Sequence, residues 1–103
     1  MYTGEALATD KAITNRPNPF NPNGEPTIIM FRPTVSGRVT VTIYDLYGGV
    51  VYSEQLDVTE GVDVTDFSWD GRNGKGRTVA NGGYICRVHG NGMDLRRKIA
   101  VVK

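Results

Sequence analysis

At 103 residues, 39% hydrophobic and 9% aromatic, the chain fits one domain. A domain of that size buries about 60–65% of the surface its unfolded form exposes, which makes one core and leaves little room for an active-site cleft. Twelve Lys and Arg against 11 Asp and Glu give a formal net charge of +1, so no overall field draws in nucleic acid or an acidic membrane, and either partner would need a local patch.

Residues 1–11 show no strand pattern and read as linker or added residues, with room for a short frayed helix from Glu5 to Lys11. Met1-Tyr2-Thr3-Gly4-Glu5-Ala6-Leu7 lacks a basic region followed by an apolar core, so it is not expected to be a signal peptide, and the chain reads as a piece of something longer. The domain proper spans 12–103. Asn18-Pro19-Phe20-Asn21-Pro22 is expected to run extended, because proline holds φ near −65° and biases the residue before it toward the β region. Phe20 would plug one end of the fold.

Thr27-Ile28-Ile29-Met30-Phe31-Arg32 reads as a strand stopped by Pro33, which cannot donate to a sheet ladder. Arg38 to Tyr44 alternates cleanly, predicting Val39, Val41 and Ile43 inside with Thr40 and Thr42 toward solvent. Asp45-Leu46-Tyr47-Gly48-Gly49 predicts a tight reversal, after which Val50 to Leu56 pairs back as a hairpin. Val64 to Trp69 alternates again, putting Phe67 and Trp69 on one face, and Trp69 should be the largest single contributor to the core. A glycine-rich turn, Asp70 to Gly76, follows. Its acidic residue and Asn resemble part of a calcium loop, but the spacing fails and no bidentate Glu closes it. Gly82-Gly83 opens a strand from Tyr84 to His89, and Met93 to Val102 closes the fold after the turn Gly90-Asn91-Gly92.

These elements predict an all-β domain, a sandwich of the immunoglobulin or fibronectin type with about seven antiparallel strands. Tyr84, two residues before Cys86, stands where such sandwiches often place a corner tyrosine whose hydroxyl bonds the backbone upstream.

Chemistry finds little support. Cys86 is the only cysteine, so it forms no internal disulfide, and its place in Tyr84-Ile85-Cys86-Arg87-Val88 makes it a small buried apolar residue. The only histidine, His89, is expected to face outward. No nucleophile elbow, phosphate-cradling loop or His-Glu-x-x-His helix is present. Carboxylate pairs such as Asp63 with Asp66 fall on solvent faces, where raised pKa values are not expected. The expectation is a protein that is not an enzyme, with no cofactor and no metal. Nucleic acid is excluded because Arg96-Arg97-Lys98, on a strand, splits its charge between two faces. No apolar run approaches the ~18 residues that span a bilayer, so direct membrane insertion is not expected.

An ordered set of motifs carries more. Asn15 to Pro22 with its Asn18-Pro19-Phe20-Asn21-Pro22 core, Thr27 to Phe31, Val39 to Gly48, Trp69-Asp70-Gly71-Arg72-Asn73, Val79-Ala80-Asn81-Gly82-Gly83-Tyr84 and Lys98-Ile99-Ala100-Val101-Val102-Lys103 together resemble the C-terminal sorting domain of type IX secretion cargo. From Ile43 to Val88 the pattern is also similar to the immunoglobulin-like domain of the flagellar hook-capping protein. The chain departs from the sorting pattern at Gly49, at Gly83 and in the added Asn23-Gly24-Glu25-Pro26.

The resemblance implies an address. Lys98, Ile99, Ala100, Val101, Val102 and Lys103 would form an exposed last strand ending in a free carboxyl terminus that an outer-membrane secretion apparatus reads. A sortase-like processing protein would then act on the product. An upstream cargo domain in the same polypeptide would travel through the periplasm to become secreted or surface-bound. Asn18, Pro19, Phe20, Asn21, Pro22, Trp69, Asp70, Gly71, Gly82 and Tyr84 would be the structural motif beneath it. The alternative is a structural module, of the hook-cap type or a carbohydrate-binding accessory domain. A sugar platform would need several exposed aromatics on one face, and Tyr44, Tyr47 and Tyr52 flank one hairpin.

Overall fold

The alternating stretches become strands in a computed structural model that describes residues 12–103. The linker reading of residues 1–11 and the helix at Glu5 to Lys11 lie outside the described residues. Seven strands follow in order: β1 Ile13–Arg16, β2 Thr27–Phe31, β3 Gly37–Asp45, β4 Val50–Val58, β5 Val64–Trp69, β6 Gly82–Gly90 and β7 Met93–Val101. Every strand pairing is antiparallel. One sheet has the order β1-β2-β5, the other β4-β3-β6-β7. The fourth strand sits beside the third rather than the fifth, unlike the constant-type immunoglobulin arrangement.

The sequence left β1 unrecognised, because Ile13-Thr14-Asn15-Arg16 is short and puts a polar residue at an inward position. Asn15 is buried all the same, and Ile13 is fully enclosed. The other strands lie within two residues of their expected limits. Pro33 is buried just past the end of β2, and the tight turn after Gly90 has Asn91 at φ 52° and Gly92 at φ 90°. Two successive positive φ values make the primed turn whose twist matches that of the flanking strands.

The core forms where the inward faces of the two sheets meet. Ile13, Ile29, Phe31, Phe67 and Trp69 come from one, Val39, Val41, Ile43, Tyr84, Cys86, Val88, Ile99 and Val101 from the other. Val39, Val41, Ile43, Phe67, Trp69 and Cys86, expected inside, are there. Thr42 is a correction: it lies on the outer face but is only 5% exposed. Its strand is central, and its neighbours across the ladders, Ser53 and Arg87, cover it.

The register places one set of loops together. Arg16 faces Ile28, Thr27 faces Trp69, Asp45 faces Tyr84 and Gly82 faces Val101. The ends of β1, β3, β5 and β7 and the starts of β2, β4 and β6 therefore share one end of the sandwich, here called the tail end. Every motif of the ordered set except the outward course of the strands themselves falls there.

Candidate recognition site

The tail end is built on three aromatic rings from three distant segments. Phe20 lies 5.7 Å from Trp69 with the rings tilted at 60°, and Trp69 meets Tyr84 edge-on at 5.6 Å and 67°. Phe20 and Trp69 are each 2% exposed. Full burial of such a ring is worth about 1.5–3 kcal/mol, and favourable edge contacts add about 0.5–1.5 kcal/mol. The two polar atoms of the trio find backbone partners. Trp69 Nε1 donates to the Arg72 carbonyl at 3.0 Å, and the Tyr84 hydroxyl donates to the Ala80 carbonyl at 2.7 Å. The second bond is the expected tyrosine corner, and burial pushes the Tyr84 phenol above its ordinary value.

The Trp69-Asp70-Gly71 turn fits under the front motif. Gly71 adopts φ 78°, and a Cβ there would stand 2.6 Å from Pro22 Cβ and 3.3 Å from Phe20 Cζ. No real side chain sits that close, so the segment 20–22 can pack down only on a glycine. Asp70 Oδ1 accepts the Arg72 amide at 3.0 Å. In the rest of this loop the Asn73 carboxamide oxygen accepts the amides of Lys75 and Arg77 at 2.9 and 3.0 Å, so it closes the turn. No group of three or more His, Cys, Asp or Glu among the described residues could hold a metal ion.

The front motif also closes on the last strand. The peptide bonds Arg16-Pro17 and Asn18-Pro19 are cis, and the chain then runs beside β7 so that Phe20 and Val101 form a parallel bridge. Phe20 N donates to the Ala100 carbonyl at 2.9 Å, and Val102 N donates to the Phe20 carbonyl at 3.0 Å. The Asn18 side chain extends this pairing by one step. Its Nδ2 donates to the Lys98 carbonyl at 3.2 Å and its Oδ1 accepts the Ala100 amide at 3.0 Å, the two bonds a neighbouring strand would make. Lys103 N donates to Asn81 Oδ1 at 2.9 Å.

Beneath this clip runs a buried polar network that the sequence reading missed. Asn15 Nδ2 donates to Thr27 Oγ1 at 2.9 Å, and the Thr27 hydroxyl donates to the Pro17 carbonyl at 2.8 Å. Asn15 Oδ1 accepts both Asn18 Nδ2 and Arg97 Nε, at 3.1 and 2.8 Å. Polar residues at the inward positions of β1 and β2 were the available signal.

The tail differs from the expected freely exposed strand. Leu95, Arg97, Ile99 and Val101 share its inward side as parity demands, but Ile99 and Val101 are 0% and 1% exposed and belong to the core. The clip covers the outer edge over Lys98 to Val102. What remains for a partner is the outward row: the exposed Lys98, the half-buried Ala100, and the exposed Val102 and Lys103. Of the remaining motif residues, Asn18, Pro19, Asn21, Asp70 and Gly82 are exposed, and Pro22 is half-buried.

Two of the three departures from the sorting pattern, Gly49 and Gly83, have a local cause. The Asp45 carboxylate accepts the amides of Tyr47 and Gly49 at 2.9 Å each, and a Cβ at Gly49 would lie 2.9 Å from its Oδ2. A Cβ at Gly83 would lie 3.3 Å from Leu46 Cδ1, so glycine there lets Leu46 fold over the sheet. The three tyrosines of the hairpin do not form a platform. Tyr52 is the register partner of Ile43 and turns inward, where its hydroxyl donates to Glu54 at 2.5 Å, a bond that raises its pKa to about 12. Tyr44, next to Ile43, faces outward, and Tyr47 is fully exposed at the tip.

Comparison with known proteins locates this architecture. A search of curated proteins gave no match. Among solved structures, PorZ of Porphyromonas gingivalis, described as an essential bacterial surface component of the type IX secretion system, superposes at a TM-score of 0.60 with 23% identity. That match covers 95% of this chain but only 12% of PorZ. FlgD of P. aeruginosa superposes at a TM-score of 0.58 with 23% identity, over 90% of this chain and 68% of that one. Residues 18–94, from the first residue of the clip to the start of the last strand, match the FlgD Ig-like domain family, and the chain belongs to that family.

Proposed function

We propose that this Ig-like domain is a non-catalytic address, of the kind that ends type IX secretion cargo, and that residues 98–103 are the part read by the outer-membrane secretion apparatus. The observation that carries the reading is the clip. Asn18, Phe20 and Asn81, from the motifs that resemble the sorting pattern, bond the backbone of Lys98 to Lys103, with Trp69 and Gly71 packed beneath Phe20, and they fix it while leaving the side chains of Lys98, Val102 and Lys103 in solvent. A segment whose backbone is held and whose outward row is open binds with less ordering cost than a loose tail. The similarity of this fold to part of PorZ, described as a surface component of the type IX secretion system, supports the reading. On this reading the protein is carried through the periplasm to the cell surface behind a cargo domain, with a sortase-like processing protein acting afterwards.

The burial of Ile99 and Val101 decides how this must be tested, since deleting 99–103 would remove core residues and block export by misfolding. A reporter carrying a signal peptide and this domain should leave a cell that has a type IX system. Removing only Val102-Lys103, with Lys98→Glu, should strand it in the periplasm while circular dichroism stays unchanged. Export of that folded variant at the parent's level would defeat the address reading. A second reading, an assembly module of the hook-cap type, rests on the family match ending at residue 94, before the tail begins. It predicts that tail changes leave function intact.

A further inference from the structure

The inward row of β7 runs Leu95, Arg97, Ile99 and Val101, and one of the four is charged. Arginine is rare at inward positions unless a partner holds it. Arg97 is half-buried, and no ion pair among the described residues engages it. Its Nε donates instead to a neutral acceptor, Asn15 Oδ1, at 2.8 Å. Asn15 is 3% exposed and Thr27 0%, so neither can turn to bulk water for a replacement partner.

From Asn15 the bonds run in two directions. Its Nδ2 donates to Thr27 Oγ1 at 2.9 Å, and the Thr27 hydroxyl passes a proton on to the Pro17 carbonyl at 2.8 Å. Its Oδ1 also receives Asn18 Nδ2 at 3.1 Å, whose other proton reaches the Lys98 carbonyl at 3.2 Å while Asn18 Oδ1 accepts the Ala100 amide at 3.0 Å. The path thus leaves β7 at residue 97 and returns to it at residues 98 and 100. Two of its members could run the other way. A hydroxyl both donates and accepts, and a carboxamide can turn over, so the bond between Thr27 and Asn15 is reversible in principle. Asn15 would then show a donor to the Asn18 Nδ2 it now anchors, and Asn18 would give up either that anchor or its hold on Ala100. A guanidinium only donates. Facing Arg97 Nε, Asn15 must present Oδ1, and the reversed arrangement is excluded.

We infer that Arg97 is the positioning residue of the tail: acting through Asn15, it sets the direction in which Asn18 offers its amide to Lys98 and Ala100. The last strand thereby orients the segment that covers its own edge. Phe20 fixes the other half of the same segment by packing on Trp69, so the clip is held by an apolar plug at one end and a donor-directed network at the other. Arg97 bears on export only if residues 98–103 are read as proposed above, whereas its effect on Asn18 does not need that reading.

The test compares Arg97→Met with Arg97→Lys in the full chain, by native-state hydrogen exchange and by export of the signal-peptide reporter. The two replacements have similar unbranched stems, and only Lys keeps a charged group that donates and never accepts. In Arg97→Met the Ala100 amide should exchange about fivefold faster, the size of one hydrogen bond, while β3 amides stay within about twofold of the parent. Arg97→Lys should bring Ala100 back to within about twofold of the parent. Equal acceleration in both variants would mean that the donated proton is not what counts, and unchanged exchange in Arg97→Met would mean that Phe20 and the strand edge hold Asn18 unaided. Either result overturns the inference, as does an acceleration spread evenly through β3, which marks lost packing. An Arg97→Met variant whose Ala100 amide is loosened but which is exported like the parent supports the positioning role and counts against the address.

Discussion

The two ends of the sandwich are made from the same materials and are held differently. At the far end the connections 32–36 and 59–63 and the turn at Asn91 reverse the chain. They are tied by exposed bonds such as Gly61 N to the Pro33 carbonyl at 2.9 Å, Glu60 N to Ser36 Oγ at 2.9 Å and Asn91 Nδ2 to the Arg38 carbonyl at 3.1 Å, with no buried ring cluster beneath them among the described residues. The ion pairs Arg32 with Asp63 and Arg38 with Asp57 at that end join side chains that are at least half exposed, where solvent screening leaves such pairs little weight. At the tail end residues as distant as Asn18 and Ala100 are locked together, and three buried rings from separate segments fill the space below them. A reversal needs only local geometry. An interlock of distant segments needs a reason, and holding residues 98–103 in a fixed place supplies one.

If that contrast is correct, substitutions at the tail end should cost more than chemically similar ones at the far end. The largest effect should come from Trp69→Ala, which removes the centre of the aromatic trio and should destabilise by about 3–5 kcal/mol, much of what a small domain has. Chemical denaturation checks this, and a cost below about 0.5 kcal/mol would remove Trp69 from the centre of the core. Next, Gly71→Ala should be compared with Gly61→Ala. Both glycines have φ 78°, but a Cβ at Gly61 meets nothing within 4 Å, whereas one at Gly71 strikes Pro22. The far-end change should cost about 1–2 kcal/mol from backbone strain alone. The tail-end change should exceed it clearly in the same denaturation experiment, and equal costs would break the comparison.

The sequence made most of this legible because its strands are long and their alternation is clean. Val64 to Trp69 was bounded correctly from period alone, and Tyr84 could be assigned its corner from its offset to Cys86. β1 was not legible, since four residues with a buried Asn carry no period. Nor was the clip, because Asn18 pairs with Lys98 and Ala100 through a side chain that imitates a peptide group, and no local pattern announces a contact across 80 residues. The last strand was bounded to within one residue and given the wrong exposure. Alternation says which residues share a face, whereas burial depends on what the rest of the chain lays against it.

A smaller effect separates the buried from the exposed chemistry of the same sheet. Burial pushes the Cys86 thiol up to about 12, so a thiol reagent should label it only as the domain unfolds. Rapid labelling of the native protein would mean β6 faces the other way. Smallest of all should be the acid response of Asp94, nearer the far end. Its carboxyl is held below its ordinary value of 3.8, chiefly by the hydrogen bond from Arg87. The folded value is the lower one, so the contribution is present above about pH 4 and is lost as pH falls through the folded value. Asp94→Asn should therefore lower the melting temperature slightly at pH 6, by an amount that shrinks as the pH is lowered toward 2. An equal deficit at both would assign the cost to packing.

The central claim, that the front motif and not the ladder alone fixes the tail, is tested most directly by native-state hydrogen exchange at the Ala100 and Val102 amides, whose acceptors are Asn18 Oδ1 and the Phe20 carbonyl. In Asn18→Ala the Ala100 amide should lose about 1 kcal/mol of protection, roughly a fivefold faster exchange, while amides of β3 in the centre of the sheet stay within error of the parent. Unchanged exchange at Ala100, or an equal acceleration throughout β3, would contradict the claim.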